Sequence, residues 1–401
     1  MEKELGVYVH IPFCVRKCNY CDFLSFPSCK EERKAYVKAL LEEISYYSSF
    51  INAHKLKTVY FGGGTPSLLD TEDLKLIFDA VTINQDRKGI CDFDTFEATI
   101  EVNPGTVDYD KLKRMKEIGF NRLSIGLQSV NDDELKLMGR IHTYEDFLNT
   151  YSFARKAGFE NINIDIISSL PYQTEEKYLN TLNTVISLEP EHISSYSLII
   201  EEGTLFFEKY ANGDFLPDED TDRAFYKMTN DILEKHGYHR YEISNYSKHN
   251  FQSRHNSSYW TGKEYLGVGL GASSLVGNER RTNTAFIKEY LKWTDLIKKT
   301  VALENGVKNA KDLALCNGLY EVTEVLSKKD KMSEFMILGL RMTEGIKKSE
   351  FRRQFGKEIE EVFGKELKEN IKNGTIVTKD DVIRLSEFGL DVSNRVFCDF
   401  L

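Results

Sequence analysis

Short β-rich runs alternate with longer amphipathic ones over the first half of the chain. The runs Leu5–Ile11, Lys57–Phe61, Phe96–Val102, Arg122–Leu127, Asn161–Ile167 and His192–Leu198 predict strands. Between them the apolar spacing predicts helices over Glu31–Phe50, Thr71–Thr82, Asp108–Ile118, Thr143–Ala157 and Glu175–Leu188. Strand–helix alternation of this kind argues for an α/β fold with a parallel sheet. Six such units predict an open, partial (β/α)6 barrel, with a site gathered at the C-terminal ends of the strands.

The pattern changes after the sixth strand. Residues 1–200 read as the barrel core and 201–300 as extra strands and loops covering its opening. The latter contain Arg240–Tyr246, His255–Trp260 and the glycine-rich Gly267–Ser273. Residues 301–330 read as a charged helical connector. Residues 331–401 read as a small helical, winged-helix-like domain with a hairpin of Thr375–Thr378 and Val382–Ser386 before a final helix.

Composition narrows the class. The chain has 401 residues, 41% of them hydrophobic, and a formal net charge of −10. That suits a packed globular protein and excludes general affinity for nucleic acid. No apolar run is long enough to cross a bilayer, so an integral membrane protein is not expected. Met1 to Gly6 lacks a signal-peptide pattern. Seven cysteines, three of them clustered, do not suggest a secreted disulfide framework. A cytoplasmic, reducing compartment is expected. The scattered Cys29, Cys91, Cys316 and Cys398 read as structural or incidental.

The clustered cysteines carry the most specific chemistry. Cys14, Cys18 and Cys21 follow the first strand with C-x3-C-x2-C spacing. Three thiolates on one loop can hold three irons of a cubane iron–sulfur cluster and leave the fourth iron open to a chelating ligand. S-adenosylmethionine (SAM) offers an amino group and a carboxylate for that position. One electron from the cluster can then cleave a carbon–sulfur bond of SAM and release a radical, so that the cofactors supply the hard chemistry. A structural zinc site with His10 as fourth ligand, or ordinary reduced thiols, are the alternatives.

Other strand ends point to the same face. Gly62–Pro66 follows strand two, where glycines let backbone groups approach a ligand. Glu101 ends strand three, Gln128 follows strand four and Asp165 lies on strand five; each can accept hydrogen bonds from an ammonium or hydroxyl. Arg140 can pair bidentately with a carboxylate. In His255-Asn256-Ser257-Ser258-Tyr259-Trp260, His255 suits an axial metal ligand and the aromatic rings suit a macrocycle. The alternative is that His255 and Asn256 brace a loop, with Trp260 in the core. His142 and His192 read as structural.

These segments, with Leu123–Ser129, Leu338–Arg341 and Val392–Phe397, resemble radical-SAM proteins related to anaerobic coproporphyrinogen III oxidase, and among them the HemW branch of haem chaperones. The resemblance implies a 4Fe–4S cluster on Cys14, Cys18 and Cys21. It implies SAM contacts, for one or two molecules, at Tyr8, Gly63, Gly64, Thr65, Glu101, Gln128, Arg140 and Asp165. It places Tyr20 over the cofactor. It assigns His255, Asn256, Tyr259 and Trp260 to haem. A haem chaperone would pass haem to acceptors such as respiratory cytochromes, some reached by transient contact at a membrane, and would draw on an electron donor. Porphyrinogen oxidation and SAM-dependent haem modification are the alternatives. Three positions depart from the related patterns. Phe23 stands where the oxidase has a further cysteine, and only a few residues precede Leu5, where the oxidase has an extension. Ser169 replaces the glycine usual before Leu170-Pro171, a tolerable change unless the backbone there needs a positive φ.

Overall fold

The computed structural model describes residues 3–83, 96–301 and 320–401. Six parallel strands lie side by side in chain order: β1 (Glu4–Ile11), β2 (Lys55–Gly63), β3 (Glu97–Val102), β4 (Arg122–Gln128), β5 (Ile162–Ser168) and β6 (His192–Ser197). They are linked by α1 (Lys30–Asn52), α2 (Thr71–Thr82), α3 (Tyr109–Ile118), α4 (Asp132–Leu137), α5 (Tyr144–Lys156) and α6 (Glu175–Ser187). Local chemistry starts several of these helices. The Asp108 carboxylate accepts from Lys111 N–H at 2.8 Å, and Thr143 with Asp146 forms a reciprocal capping box.

Period-two alternation explains both faces of this sheet. Val7, Val9, Ile11, Val59, Phe61, Ile100, Ile125 and Ile164 are buried in the core cluster that also contains side chains of the covering helices. The alternate positions (Tyr8, Thr58, Tyr60, Glu101, Arg122, Ser124, Asp165) are polar. The strand interior is therefore a polar lumen, unlike the branched apolar layers of a closed eight-fold barrel.

The sheet continues on both sides of the six strands. After α7 (Leu205–Tyr210) and α8 (Glu219–Lys235), β7 (His239–Arg240) and β8 (Asn245–Ser247) extend it beyond β6. On the other side β9 (Tyr265–Val268) pairs in parallel with β1, and β10 (Ser273–Val276), β11 (Glu279–Asn283) and β12 (Tyr320–Val325) follow it. Among the described residues the result is one open sheet of 12 strands. Tyr320–Val325 was expected to be helical. Its Tyr-Glu-Val-Thr-Glu-Val alternation instead pairs with β11 at the sheet edge, where its charged side chains stay in water. The rest of the expected connector from 302 to 319, together with Cys91 and Cys316, lies outside the described residues.

Beyond β12, α9 (Lys328–Gly339), α10 (Lys348–Phe355) and α11 (Ile359–Lys372) pack with a three-stranded antiparallel sheet of Ile346–Lys347, Ile376–Lys379 and Val382–Leu385. This winged-helix-like unit has its own core around Met336, Phe351, Ile359 and Ile383. It rests against the barrel. Thr343 N–H donates to Tyr241 O at 3.0 Å, and Arg280 pairs with Glu334. Among the described residues no helix is long and apolar enough to cross a membrane.

Candidate cluster and ligand site

The cysteine loop leaves β1 and is pinned to the turn after α4. Asn19 N–H donates to Met138 O at 2.9 Å, its side-chain amide to Leu137 O at 2.8 Å, and Arg16 Nη2 to Gly139 O at 2.6 Å. Gly139 has φ +74°, and a Cβ there would sit 2.7 Å from Asn19 Oδ1, so only glycine suits the turn. The thiols of Cys14, Cys18 and Cys21 are free and partly exposed. Thr65 Oγ1 stands 3.6 Å from Cys14 Sγ, and Arg140 Nη1 stands 3.6 Å from Cys18 Sγ. Such donors suit thiolates, because hydrogen bonds from the surroundings stabilise ligand charge.

The zinc alternative fails at His10. Its Nε2 donates to Leu24 O at 2.9 Å and its Nδ1 is hydrogen-bonded to Tyr8 Oη at 2.9 Å, so neither nitrogen is available to a metal. The donor set is three thiols with the fourth position open, which fits a cubane cluster carrying one accessible iron.

The other strand-end residues form three groups. Thr65 and Arg140 belong to a network centred on Asn103 and Gly126, Gln128 packs beside Gly126, and Gly64 lies against the loop at Phe13. Asn103 Nδ2 donates to Thr65 Oγ1 at 2.6 Å, and Arg140 Nη2 donates to both Asn103 Oδ1 and Gly126 O at 2.7 Å. A Cβ at Gly126 would lie 2.9 Å from Gln128 Nε2, and one at Gly64 would lie 2.7 Å from the Phe13 carbonyl. Gln128 sits at φ +73° beside a register shift in β4, a strained backbone of the kind found at binding sites. Arg140 was expected to give a carboxylate a free bidentate edge. Its Nη2 is already committed, and Nε remains buried without a partner.

Asp165 lies deeper, accepting from Ser124 Oγ at 2.9 Å and Asn163 Nδ2 at 2.8 Å; burial raises its carboxyl above the usual range. Tyr8, Gly63 and Glu101 form the third group and line a cavity of about 520 Å³. Glu101 accepts from Tyr60 Oη at 2.9 Å and Gly63 N–H at 3.1 Å, yet burial pushes it up to about 7. Tyr20, expected over the cofactor, turns its ring against Phe206, with centroids 6.2 Å apart.

The expected haem motif divides. The short helix Arg254–Trp260 brings Tyr259 and Trp260 to the wall of the same cavity. His255 is 1% exposed and is not part of that wall. Its Nδ1 is hydrogen-bonded to Thr58 Oγ1 and its Nε2 to Tyr259 Oη, both at 2.7 Å, and its ring stacks on Tyr60 at 5.1 Å. Burial, reinforced by the charge of Arg122, lowers it to about 3 and keeps it neutral. Asn256 caps back to Ser253 through its N–H and lines no part of the cavity. The geometry at His255 is that of a brace. The remaining wall includes Phe23, which is 68% exposed at the mouth, Arg280, and Leu338 from the C-terminal unit. Arg341 from that unit also covers Trp260, its guanidinium 4.2 Å from the ring centroid.

Sequence reasoning missed Asn103, although it stands two residues beyond Glu101 on the same face. It also gave Arg122 no role beyond starting a strand.

Comparison with known proteins places these features. Residues 8–185 match the Radical SAM superfamily and residues 326–392 match the HemN C-terminal domain. The chain is 35% identical to the heme chaperone HemW of Bacillus subtilis (strain 168), covering 99% of each chain. It is 34% identical to that of Lactococcus lactis subsp. lactis (strain IL1403), covering 100% of this chain and 98% of the relative. The fold superposes on coproporphyrinogen III oxidase (HemN) from Escherichia coli with a TM-score of 0.81 at 23% identity, over 100% of this chain and 90% of that one. Radical SAM membership implies a 4Fe–4S cluster and SAM, and the three-thiol loop fits them. The chain belongs to the HemW family of the radical SAM superfamily.

Proposed function

We propose that this protein binds haem in the 520 Å³ cavity and transfers it to acceptor proteins, with a 4Fe–4S cluster and SAM held at the adjoining strand ends. One observation carries the reading. A single cavity joins Tyr8, Gly63 and Glu101, on the side expected for SAM, to the rings of Tyr259 and Trp260. Its size and mixed lining suit a flat, mostly apolar ligand. The relatives named heme chaperone support the same direction.

Cys14, Cys18 and Cys21 would each take one iron. When bound, the cluster supplies single electrons to SAM. Arg140 and Thr65 hold thiolate charge at the loop, Glu101 and Asp165 offer carboxylates to one or two SAM molecules, and Gly63 and Gly64 let the backbone come close. Gln128 and Tyr8 complete that face. Tyr259 and Trp260 pack against the macrocycle, with His255 and Asn256 fixing the helix that presents them. His255 would have to give up two hydrogen bonds to reach a haem iron. The acceptors are cytochrome-type proteins, some met transiently at a membrane, and a separate cytoplasmic protein would be the electron donor. The charge of −10 argues against a nucleic-acid partner.

The test is an anaerobic haem titration of cluster-loaded protein, followed by gel filtration and a Soret spectrum. Stoichiometric retention is expected, with quenching of Trp260 fluorescence that disappears in Trp260→Phe. Trp260→Ala should retain less haem. A parent protein that retains no haem, yet converts a porphyrinogen with SAM, would overturn the chaperone reading in favour of oxidation.

A further inference from the structure

Arg122 is the residue of the lumen that neither the cluster nor the cavity uses. It opens β4, is 1% exposed and is among the largest fully buried side chains of the protein. Its Nε has no hydrogen-bond partner, and neither does Oγ1 of Thr99, its direct neighbour in the β3–β4 register. Two orphaned polar groups side by side in a core are costly and rarely incidental. A guanidinium carries its charge at any working pH, so a full positive charge stands at the floor of the strand interior.

The groups around it define its task. Period two places Arg122 below Ser124, which holds Asp165, and the neighbouring strand places Thr99 directly below Glu101. Two carboxylates on strands that flank β4 therefore face one lumen. Burial raises both, the charge of Asp165 raises Glu101 further, and Arg122 pulls both down. The other titratable groups on this face are Tyr8 and His10 from β1, Tyr60 from β2, Glu97 from β3, His192 and Tyr196 from β6, Tyr241 and Glu242 beside β8, and His255 and Tyr259 from the covering helix; Glu97 is occupied by the backbone N–H groups of Arg254 and His255. Burial keeps His192 and His255 neutral, and Arg122 adds to that, so neither imidazole supplies a competing cation.

We infer that Arg122 is the fixed counter-cation of the lumen, a positioning residue that favours the charged form of Glu101 and Asp165 so that the strand ends accept a cationic ligand. The class of ligand is an ammonium or sulfonium compound, and SAM carries both groups; to that extent the inference rests on the reading above. Arg122 does this without touching the ligand, by its field and by its place one layer beneath the carboxylates.

The test uses Arg122→Met and Arg122→Lys in the full chain. Removing one partner of a buried charge set is costly to the fold, so Arg122→Lys, which keeps the cation, is the reference, and Arg122→Gln, which keeps hydrogen-bonding groups, replaces Arg122→Met should the latter not fold. The first readout needs no cofactor: the carboxyl midpoint of Glu101, followed by 13C NMR and assigned with Glu101→Gln. Arg122→Met should raise it by about one unit from its value of about 7, and Arg122→Lys should restore it. The second readout is SAM affinity of cluster-loaded protein. With that shift the ionised fraction at pH 7 falls from about a half to about a tenth, so SAM should bind about 5-fold more weakly at pH 7 and nearly as well as to the parent at pH 9. An unmoved carboxyl midpoint in Arg122→Met, or an equal loss of SAM affinity at pH 7 and pH 9, would overturn the inference. A shifted midpoint in a protein whose parent form binds no SAM would uphold Arg122 and remove SAM as the ligand.

Discussion

His255 offers the sharpest test of what the tertiary structure adds to the motif. As a brace, its imidazole joins Thr58 to Tyr259 and stacks on Tyr60. His255→Ala removes two hydrogen bonds and leaves two buried hydroxyls to find new partners. At roughly 1 kcal/mol for each bond and somewhat more for the stranded groups, the cost is about 3 kcal/mol. For a chain of this size that lowers Tm by about 3–4 °C. The pH dependence provides a second arm. The folded imidazole titrates near 3 and the unfolded one near 6.5. A depressed folded value means the stability is present above pH 6.5 and is lost as pH falls toward 3. Between pH 6.5 and 5 the loss is about 2 kcal/mol from this residue. His142, lowered to about 3 chiefly by burial, adds a similar slope that the variant retains. Chemical denaturation of parent and His255→Ala at pH 7 and pH 5 should therefore show the gap between them narrowing by about 2 kcal/mol in acid. The reasoning is refuted if His255→Ala is as stable as the parent at both pH values, or if it alone changes the axial-ligand spectrum of bound haem.

Three further outcomes follow from the geometry. Cys18→Ser should abolish assembly of the four-iron cluster, read as iron content and visible absorption after reconstitution, because one of three thiolates is gone. Glu101→Gln should match the parent in stability at pH 4.5 and exceed it by up to about 3 kcal/mol at pH 8. Its folded carboxyl titrates near 7 against 4.5 unfolded, so the parent loses stability as pH rises through that window; equal stability at both pH values would contradict this. Ser169 sits at φ +60° and hydrogen-bonds Asp222, so the residue that departs from the family glycine does occupy a left-handed position. Ser169→Ala should cost about 1 kcal/mol by losing that bond. Ser169→Gly should be near neutral in denaturant titration, because relief of about 1 kcal/mol of backbone strain offsets the same loss.

Most of the barrel was legible because its signals are local. The six strands and five linking helices follow from periodicity over stretches of a few residues, and the observed boundaries differ by a few positions at most. The cysteine spacing and the glycines after β2 are likewise readable, since loop chemistry depends on residues that are neighbours in the chain. Tyr320–Val325 misled because charged residues on an exposed edge strand look the same in sequence as charged residues on a solvated helix.

Long-range contacts decided the rest. His255 and Thr58 are 197 positions apart, and Arg140 and Cys18 are 122 apart. The motif alone leaves His255 open as a ligand or a brace; the tertiary structure shows both its nitrogens hydrogen-bonded, to Thr58 and Tyr259, and its ring stacked on Tyr60. The cavity, too, exists only because Tyr8 and Gly63 from the strands, Trp260 from the covering helix and Leu338 from the C-terminal unit meet at one place. Residue type and periodicity determine which face a side chain takes and what chemistry it can perform. Which partner consumes its hydrogen bonds is a property of the packed core, where each buried polar group must be satisfied by whatever the fold brings within reach.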